Sequence, residues 1–339
     1  MKTADFTFDL PERLIAQRPS PERGASRLMT LDRASRERRF FHIADAPDIL
    51  KAGDLLVFNN SRVRKARLLG TSLNTGARVE FLLLKRLDTY TWQAMASRSK
   101  RRRIGSGCLF ADGTRAEITG SDGEYRVLHF DAPVDNAWLD IHGHIPLPPY
   151  IKRPDEPEDS DRYQTVYAKT TGSAAAPTAG LHFTETLLAR LKERGVETAF
   201  ITLHVGLGTF LPVRTEHIED HAMHEEVFTI DEEAASAVER AKAEGRRVIA
   251  VGTTGVRALE SAWKDGRLAR GEGATSIFIY PGYEFKVIEG IFTNFHTPKS
   301  SLLMLVSAFA GRDFILESYC EAVRHEFRFF SYGDAMLIL

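Results

Sequence analysis

Only two cysteines, Cys108 and Cys320, occur in 339 residues. They stand far apart, which excludes a disulfide framework and fits a reducing compartment. The N-terminal stretch MKTADFTFDLPERLIAQRP has no apolar core of a secretory signal. A bilayer span needs about 20 apolar residues, and the longest apolar stretch near the C-terminus, Leu302–Ala310, falls far short. These absences set the expectation of a cytoplasmic protein with no membrane contact. No internal repeat or low-complexity tract is present. Net charge is also nearly absent, at -1, and it excludes no partner until the charges are located along the chain.

What is there is an ordinary globular composition, 43% hydrophobic and 27% charged, over a length that predicts two domains. Asp54–Asn60 (DLLVFNN) reads as a buried strand. From Ala66 to about Phe130, short apolar runs alternate with Gly, Asn and Asp. Asp112-Gly113 and Asp122-Gly123 are hairpin signals, so this block predicts a small antiparallel barrel. A short helix is expected over Asp135–Ile141. Ile145–Pro149 and the acidic Arg153–Asp161 read as a linker, with Pro154 and Pro157 opposing regular structure. After Tyr163, helical and strand patterns alternate. Helices are expected over Thr184–Arg194, Asp231–Gly245, Thr254–Lys264, Leu302–Ala308 and Asp313–Phe327. Strands are expected over Thr198–Val205, Arg247–Gly252, Thr275–Tyr280, Gly290–Phe295 and Asp334–Leu339. That alternation predicts mostly parallel strands. The fold class is therefore α/β: a discontinuous, large, barrel-like α/β domain (1–60 plus 150–339) with a small antiparallel β-barrel inserted at 61–149.

Charge is unevenly spread. Between Ser61 and Gly105 twelve residues are basic and only Glu80 and Asp88 oppose them. A polyanion is the natural partner of such a block, with Tyr90 and Trp92 near enough in sequence to stack on bases. A solvated surface or a guarded sheet edge fits the same residues equally well.

Two segments of small residues each carry a histidine. APTAGLHF, at 176–183, places Pro177, Thr178, Ala179 and Gly180 before His182. LHVGLGTFLPV, at 203–213, places His204 before Gly206 and Gly208. Small residues let main-chain N–H groups approach a ligand closely. The second segment is no dinucleotide fingerprint, because the third glycine would fall at Leu211. Val251–Arg257 (VGTTGVR) follows a strand and opens a helix, so it offers free N–H groups and a positive dipole end to an anion. Thr253 and Thr254 add hydroxyls and Arg257 a guanidinium. A plain helix start with a Thr cap reads the same way. His217, His221 and His224 have the spacing of one helix face, but nothing flanking them supports a rigid helix, so no metal is expected. Asn294 and His296 end one strand, while Tyr332 and Asp334 precede another, where ligands lie in α/β sheets.

Taken in order, DLLVFNNSRV, IPLPPYIKRPDEPEDSDRYQTVY, APTAGLHF, TLHVGLGTFLPV, VGTTGVRALES, TNFH and FRFFSYGDAM resemble the S-adenosylmethionine:tRNA ribosyltransferase-isomerase family of queuosine biosynthesis. The resemblance covers nearly the whole chain. It implies that S-adenosylmethionine, as co-substrate, gives its ribosyl portion to the aminomethyl group of a 7-deazaguanine at the wobble position of tRNA. The ribose becomes an epoxycyclopentane, while adenine and methionine leave. Such chemistry wants a base at the ribose carbon beside the sulfonium and an acid at adenine. It also wants donors for the methionine carboxylate and an acceptor for the amine. His182, His204 and His296 are the acid or base candidates, and Asp334 the candidate facing the amine. Pro177, Thr178, Ala179, Gly180, Gly206, Gly208, Thr253, Thr254, Arg257, Asn294 and Tyr332 are expected to bind substrate. The inserted block, through Arg62, Arg98, Lys100, Arg101, Arg102 and Arg103, is expected to hold tRNA. The protein is expected to act as a monomer. Two departures stand out: Gly255 replaces the family's usual Ser, and Ala174 its usual Val. An RNA methyltransferase using S-adenosylmethionine, or a non-catalytic tRNA-binding protein, are the alternatives. The first wants a Gly-rich loop followed by an acidic residue for the ribose, and that arrangement is missing.

Overall fold

The computed structural model describes residues 1–97, 102–206 and 213–339. Its larger part is built on a nine-stranded sheet. From edge to edge the strands are Gly271–Thr275, Glu226–Ile230, Glu197–Leu203, Leu55–Asn59, Val248–Val251, Gly290–Asn294, Ala335–Ile338, Arg27–Leu31 and Arg38–His42. Leu55–Asn59, Val248–Val251 and Gly290–Asn294 are buried throughout, which explains the continuous apolar stretches LLVF, VIAV and GIF within them, with the polar Asn59, Thr293 and Asn294 at the strand ends.

The expectation of mostly parallel strands needs correction. Four neighbour pairs are parallel and four antiparallel. One helix between two strands returns the chain for parallel pairing. Between Gly290–Asn294 and Ala335–Ile338 the chain forms two helices, Ser301–Ala310 and Arg312–Arg324, and the extra reversal brings the last strand in antiparallel. The strand expected at Thr275–Tyr280 instead lies at Gly271–Thr275 and pairs antiparallel with Glu226–Ile230.

Helix starts follow their caps. Thr184 accepts a hydrogen bond from Leu187 N, Asp231 from Ala234 N and Ser300 from Leu303 N. The helix Thr253–Ala262 differs, because Gly252 precedes it with φ 95° and offers no side chain to cap the first turn. Gly255, in that first turn, has room for the family's usual side chain: a Cβ there meets only Ala250 and Val57 at 3.8 Å.

Six antiparallel strands close the barrel, in the order Tyr125–Phe130, Thr91–Ala96, Arg78–Arg86, Arg67–Ser72, Gly107–Phe110 and Arg115–Asp122. The two Asp-Gly turns join neighbours here, with positive φ at Gly113 and Gly123. Trp92 fills the barrel core at 1% exposure and donates to the Val134 carbonyl. It is therefore a packing residue and not a base-stacking one. Tyr90 stays exposed.

The acidic stretch at 153–161 is not a loose linker. Asp159 is buried, accepts from Arg153 at 2.6 and 2.9 Å, and also receives the Tyr332 hydroxyl at 2.7 Å. Asp155 accepts from the Ile145 N–H. The buried Asp159 and the half-buried Asp155 both have donors, so charge that looked solvated ties the segment to the main body. Among the described residues no helix is long and apolar enough to cross a membrane.

Candidate functional site

Strands Val248–Val251 and Gly290–Asn294 are parallel and end together, and the antiparallel strand Ala335–Ile338 begins at the same end. A cleft lies there, where parallel strands commonly present ligand sites. Its empty space is about 620 Å³ with the mouth included. One wall is the turn Ala176–Ala179. A second is the helix start Gly252–Thr254. A third is the strand end Thr293–Thr297, and Tyr150, Phe330 and Ser331 close the rim. Among the described residues lining it there is no Asp, Glu, Lys or Arg.

Of the sequence candidates, Pro177, Thr178, Ala179, Thr253, Thr254, Asn294 and His296 line this cleft. His296 is buried, its Nε2 lies 3.0 Å from Thr293 Oγ1, and its main-chain N–H donates to the Tyr319 hydroxyl. Burial pushes the imidazole down to about 3, so it is neutral.

The other candidates sit elsewhere. His182 borders a second, smaller pocket with Arg23, Arg162 and Tyr332, and its Nε2 meets Asn294 Nδ2 at 3.0 Å. Burial, only partly offset by Asp334, holds it at about 4. His204 does not line the cleft. Its ring packs against Gly172, its Nδ1 is buried without a partner among the described residues, and burial, then Arg64, lower its pKa. Gly180 does not approach a ligand, since a Cβ there would fall 2.0 Å from the Tyr167 hydroxyl, so its lack of a side chain serves packing.

Asp334 faces no open space. Oδ1 accepts from Arg27 N at 3.0 Å, and Oδ2 from Arg328 N at 2.8 Å and the Arg27 guanidinium. It braces the turn before the last strand and does not face an amine in the cleft. Tyr332 spends its hydroxyl on Asp159. Arg257 is turned away from the helix start and forms a buried ion pair with Glu226, whose other oxygen accepts from Gly206 N at 3.1 Å. It supplies no anion site in the cleft. Gly208 lies outside the described residues.

His217, His221 and His224 share no helix face. A short 3-10 turn, Ile218–Asp220, separates the first two, and His224 lies by the Tyr125 hydroxyl. No metal-holding group of side chains is found among the described residues. In the basic block, Arg62 and Arg103 are exposed and Arg102 half-buried, while Arg98, Lys100 and Arg101 lie outside the described residues. Part of the local excess is neutralised, because Arg67 pairs with Glu80 at 2.8 Å.

Tyr150 and Phe330 were missed by sequence reasoning, whereas Thr293, Phe295 and Ser331 belong to the strand-end segments Thr293–His296 and Ser331–Asp334 that it placed near a ligand without naming these three as site residues. Tyr150 lies between the two stretches read as a linker, and its hydroxyl meets Ser331 Oγ at 2.6 Å. No spacing rule joins residues 181 apart. The aromatic FRFF run before Ser331 was the one available signal.

A family model described as queuosine biosynthesis protein matches residues 3–338. Similar proteins named S-adenosylmethionine:tRNA ribosyltransferase-isomerase include one from Treponema denticola, 54% identical over 348 residues and covering 100% of both chains. Another, from Clostridioides difficile, is 52% identical over 344 residues, again with 100% of both chains covered. A solved structure of S-adenosylmethionine tRNA ribosyltransferase from Thermotoga maritima aligns with a TM-score of 0.58 at 35% identity, covering 99% of this chain and 100% of that one.

The buried histidines make stability depend on pH. Folded, His182 and His296 stay neutral down to about 4 and about 3, against an ordinary 6.5. Between those values the unfolded chain binds more protons, so stability rises with pH, is complete above about 7, and falls as pH drops through 6.5. Each such proton is worth about 1.4 kcal/mol per pH unit. Unfolding followed between pH 7 and 5 should show this loss, and His296→Gln should flatten its slope by about one proton. A slope equal in both proteins would contradict the burial of a neutral His296.

Proposed function

The chain belongs to the queuosine biosynthesis protein family, and on that premise we propose how its cleft serves the family's reaction. The protein is an enzyme that transfers and isomerises the ribosyl portion of S-adenosylmethionine onto a base in tRNA, releasing adenine and methionine. The acceptor is the aminomethyl group of 7-aminomethyl-7-deazaguanine at the wobble position. The observation that carries the assignment of the site is that six of the seven family-like segments, distant in sequence, converge on one cleft that has no charged side chain among its described lining residues.

S-adenosylmethionine occupies the cleft. Its carboxylate lies at the uncapped helix start, where Thr253 and Thr254 provide N–H groups, hydroxyls and the positive dipole end. Its sulfonium has no carboxylate counterion among the described lining residues. The reaction turns that sulfonium into a neutral thioether, so an uncharged surrounding favours products over substrate. His296 is the cleft histidine and is neutral, so at rest it is a proton acceptor. It takes the proton from the ribose carbon beside sulfur. Once protonated it is a strong acid, able to hand the proton to the departing adenine. Asp334 and Arg257 have no part in the transfer, because both are committed to internal partners.

The barrel holds the tRNA. Arg103 supplies exposed charge with Arg102 next to it, Arg98, Lys100 and Arg101 belong to the same stretch, and Arg62 adds exposed charge from the strand Ser61–Val63, which precedes the barrel and pairs with Thr170–Ser173. The division into 1–60 plus 150–339 and 61–149 then separates chemistry from tRNA capture.

The products decide between reaction classes. Adenine and methionine must be released in step with tRNA modification, whereas S-adenosylhomocysteine would refute ribosyl transfer. His296→Gln should lower that release by on the order of a hundredfold or more. A near-normal rate would remove His296 from proton transfer. For the tRNA contact, replacing Arg62 and Arg103 by Ala should flatten the salt dependence of tRNA binding by roughly one to two units of log K per log salt. An unchanged slope would exclude them from the interface.

A further inference from the structure

Asn294 ends the strand Gly290–Asn294 and lines the cleft while being 3% exposed. Its Nδ2 donates to the Phe330 carbonyl at 3.2 Å and to His182 Nε2 at 3.0 Å. A carbonyl only accepts, so the amide cannot be turned over. His182 Nε2 must then be an unprotonated acceptor, in keeping with its burial. One atom of the amide remains. Oδ1 is buried and has no hydrogen-bond partner among the described residues. Buried acceptors nearly always have donors, so an orphan at a ligand cleft calls for one from the ligand.

The surroundings narrow the donor. Phe295 follows Asn294, Phe330 supplies the carbonyl that holds it, and the Tyr150 ring lies 4.6 Å from that of Phe330. All three line the same cleft. An aromatic wall beside one neutral acceptor suits a flat heteroaromatic ring bearing a neutral N–H. An ammonium group would want a carboxylate, which is absent, and a ligand carboxylate would be repelled by Oδ1.

We infer that Asn294 is a specificity-determining residue, its Oδ1 accepting a hydrogen bond from the exocyclic amine of a purine-type base that lies against the aromatic wall. His182 is the positioning residue that keeps this oxygen turned outward. The inference rests on reading the cleft as the reaction site. Two bases in the reaction carry such an amine: the adenine of S-adenosylmethionine and the 7-deazaguanine of the tRNA.

The test measures binding of S-adenosylmethionine and of its inosine counterpart, in which oxygen replaces the 6-amino group, and the KM for tRNA. The full-length protein is compared with Asn294→Ala and Asn294→Asp. The unchanged protein should prefer the amine at least about tenfold. Asn294→Ala should shrink that preference to within about threefold, and Asn294→Asp, which keeps an acceptor in place, should retain it. An intact preference with a tRNA KM raised about tenfold in Asn294→Ala alone would support the inference with deazaguanine as the base read. If preference and KM are unchanged in a folded Asn294→Ala, or are lost equally in both variants, the inference is overturned while the enzyme's turnover stands. If the unchanged protein releases no adenine, the reading of the cleft falls first, and the inference with it.

Discussion

The buried ion pair between Arg257 and Glu226 fixes the arrangement on which the site depends. Each residue is 4% exposed, and Arg257 also donates to the Ile277 carbonyl. The pair ties the helix Thr253–Ala262 to the strand Glu226–Ile230, and through Gly206 N to the loop after Glu197–Leu203. Removing one partner of such a pair typically costs 3–5 kcal/mol, roughly, because the other charge is left uncompensated. The pair also consumes a cation that would otherwise stand beside the cleft. What remains at the helix start is a dipole and its N–H groups.

That subtraction shapes the chemistry. A cleft with fixed charges would hold S-adenosylmethionine through its sulfonium and stabilise the ground state. On the proposed reading, this one holds the ligand through its carboxylate and its rings, and leaves the sulfonium without a partner among the described lining residues. Binding energy from remote groups then weighs on the reacting centre. The same economy applies to the histidines. His296 and His182 are both neutral by burial, but of the two only His296 faces the cleft, while His182 contacts Asn294.

Much of this was legible in the sequence, for physical reasons that differ by element. The barrel was readable because Asp-Gly turns and period-two runs are local signals, and the capped helices because Thr184 and Asp231 act within one turn. The cleft-lining turn, the helix start and Asn294 were readable because small residues and strand ends mark ligand sites. Strand direction was not, since it depends on how many helices lie between strands. Nor were the partners of Asp334, Arg257 and Trp92 legible. Each is a polar or aromatic residue that looks functional alone but is satisfied by a partner remote in sequence or by burial in the barrel. Tyr150 was hidden for the same reason.

A structure of the protein with S-adenosylmethionine bound tests the central claim most directly. The account predicts the sulfonium within the cleft, nearer to His296 than to His182 or His204, with no carboxylate side chain within about 6 Å and the methionine carboxylate at Thr253 and Thr254. A sulfonium seated instead in the pocket of Arg23, Arg162 and Tyr332, or paired with an acidic side chain, would contradict it.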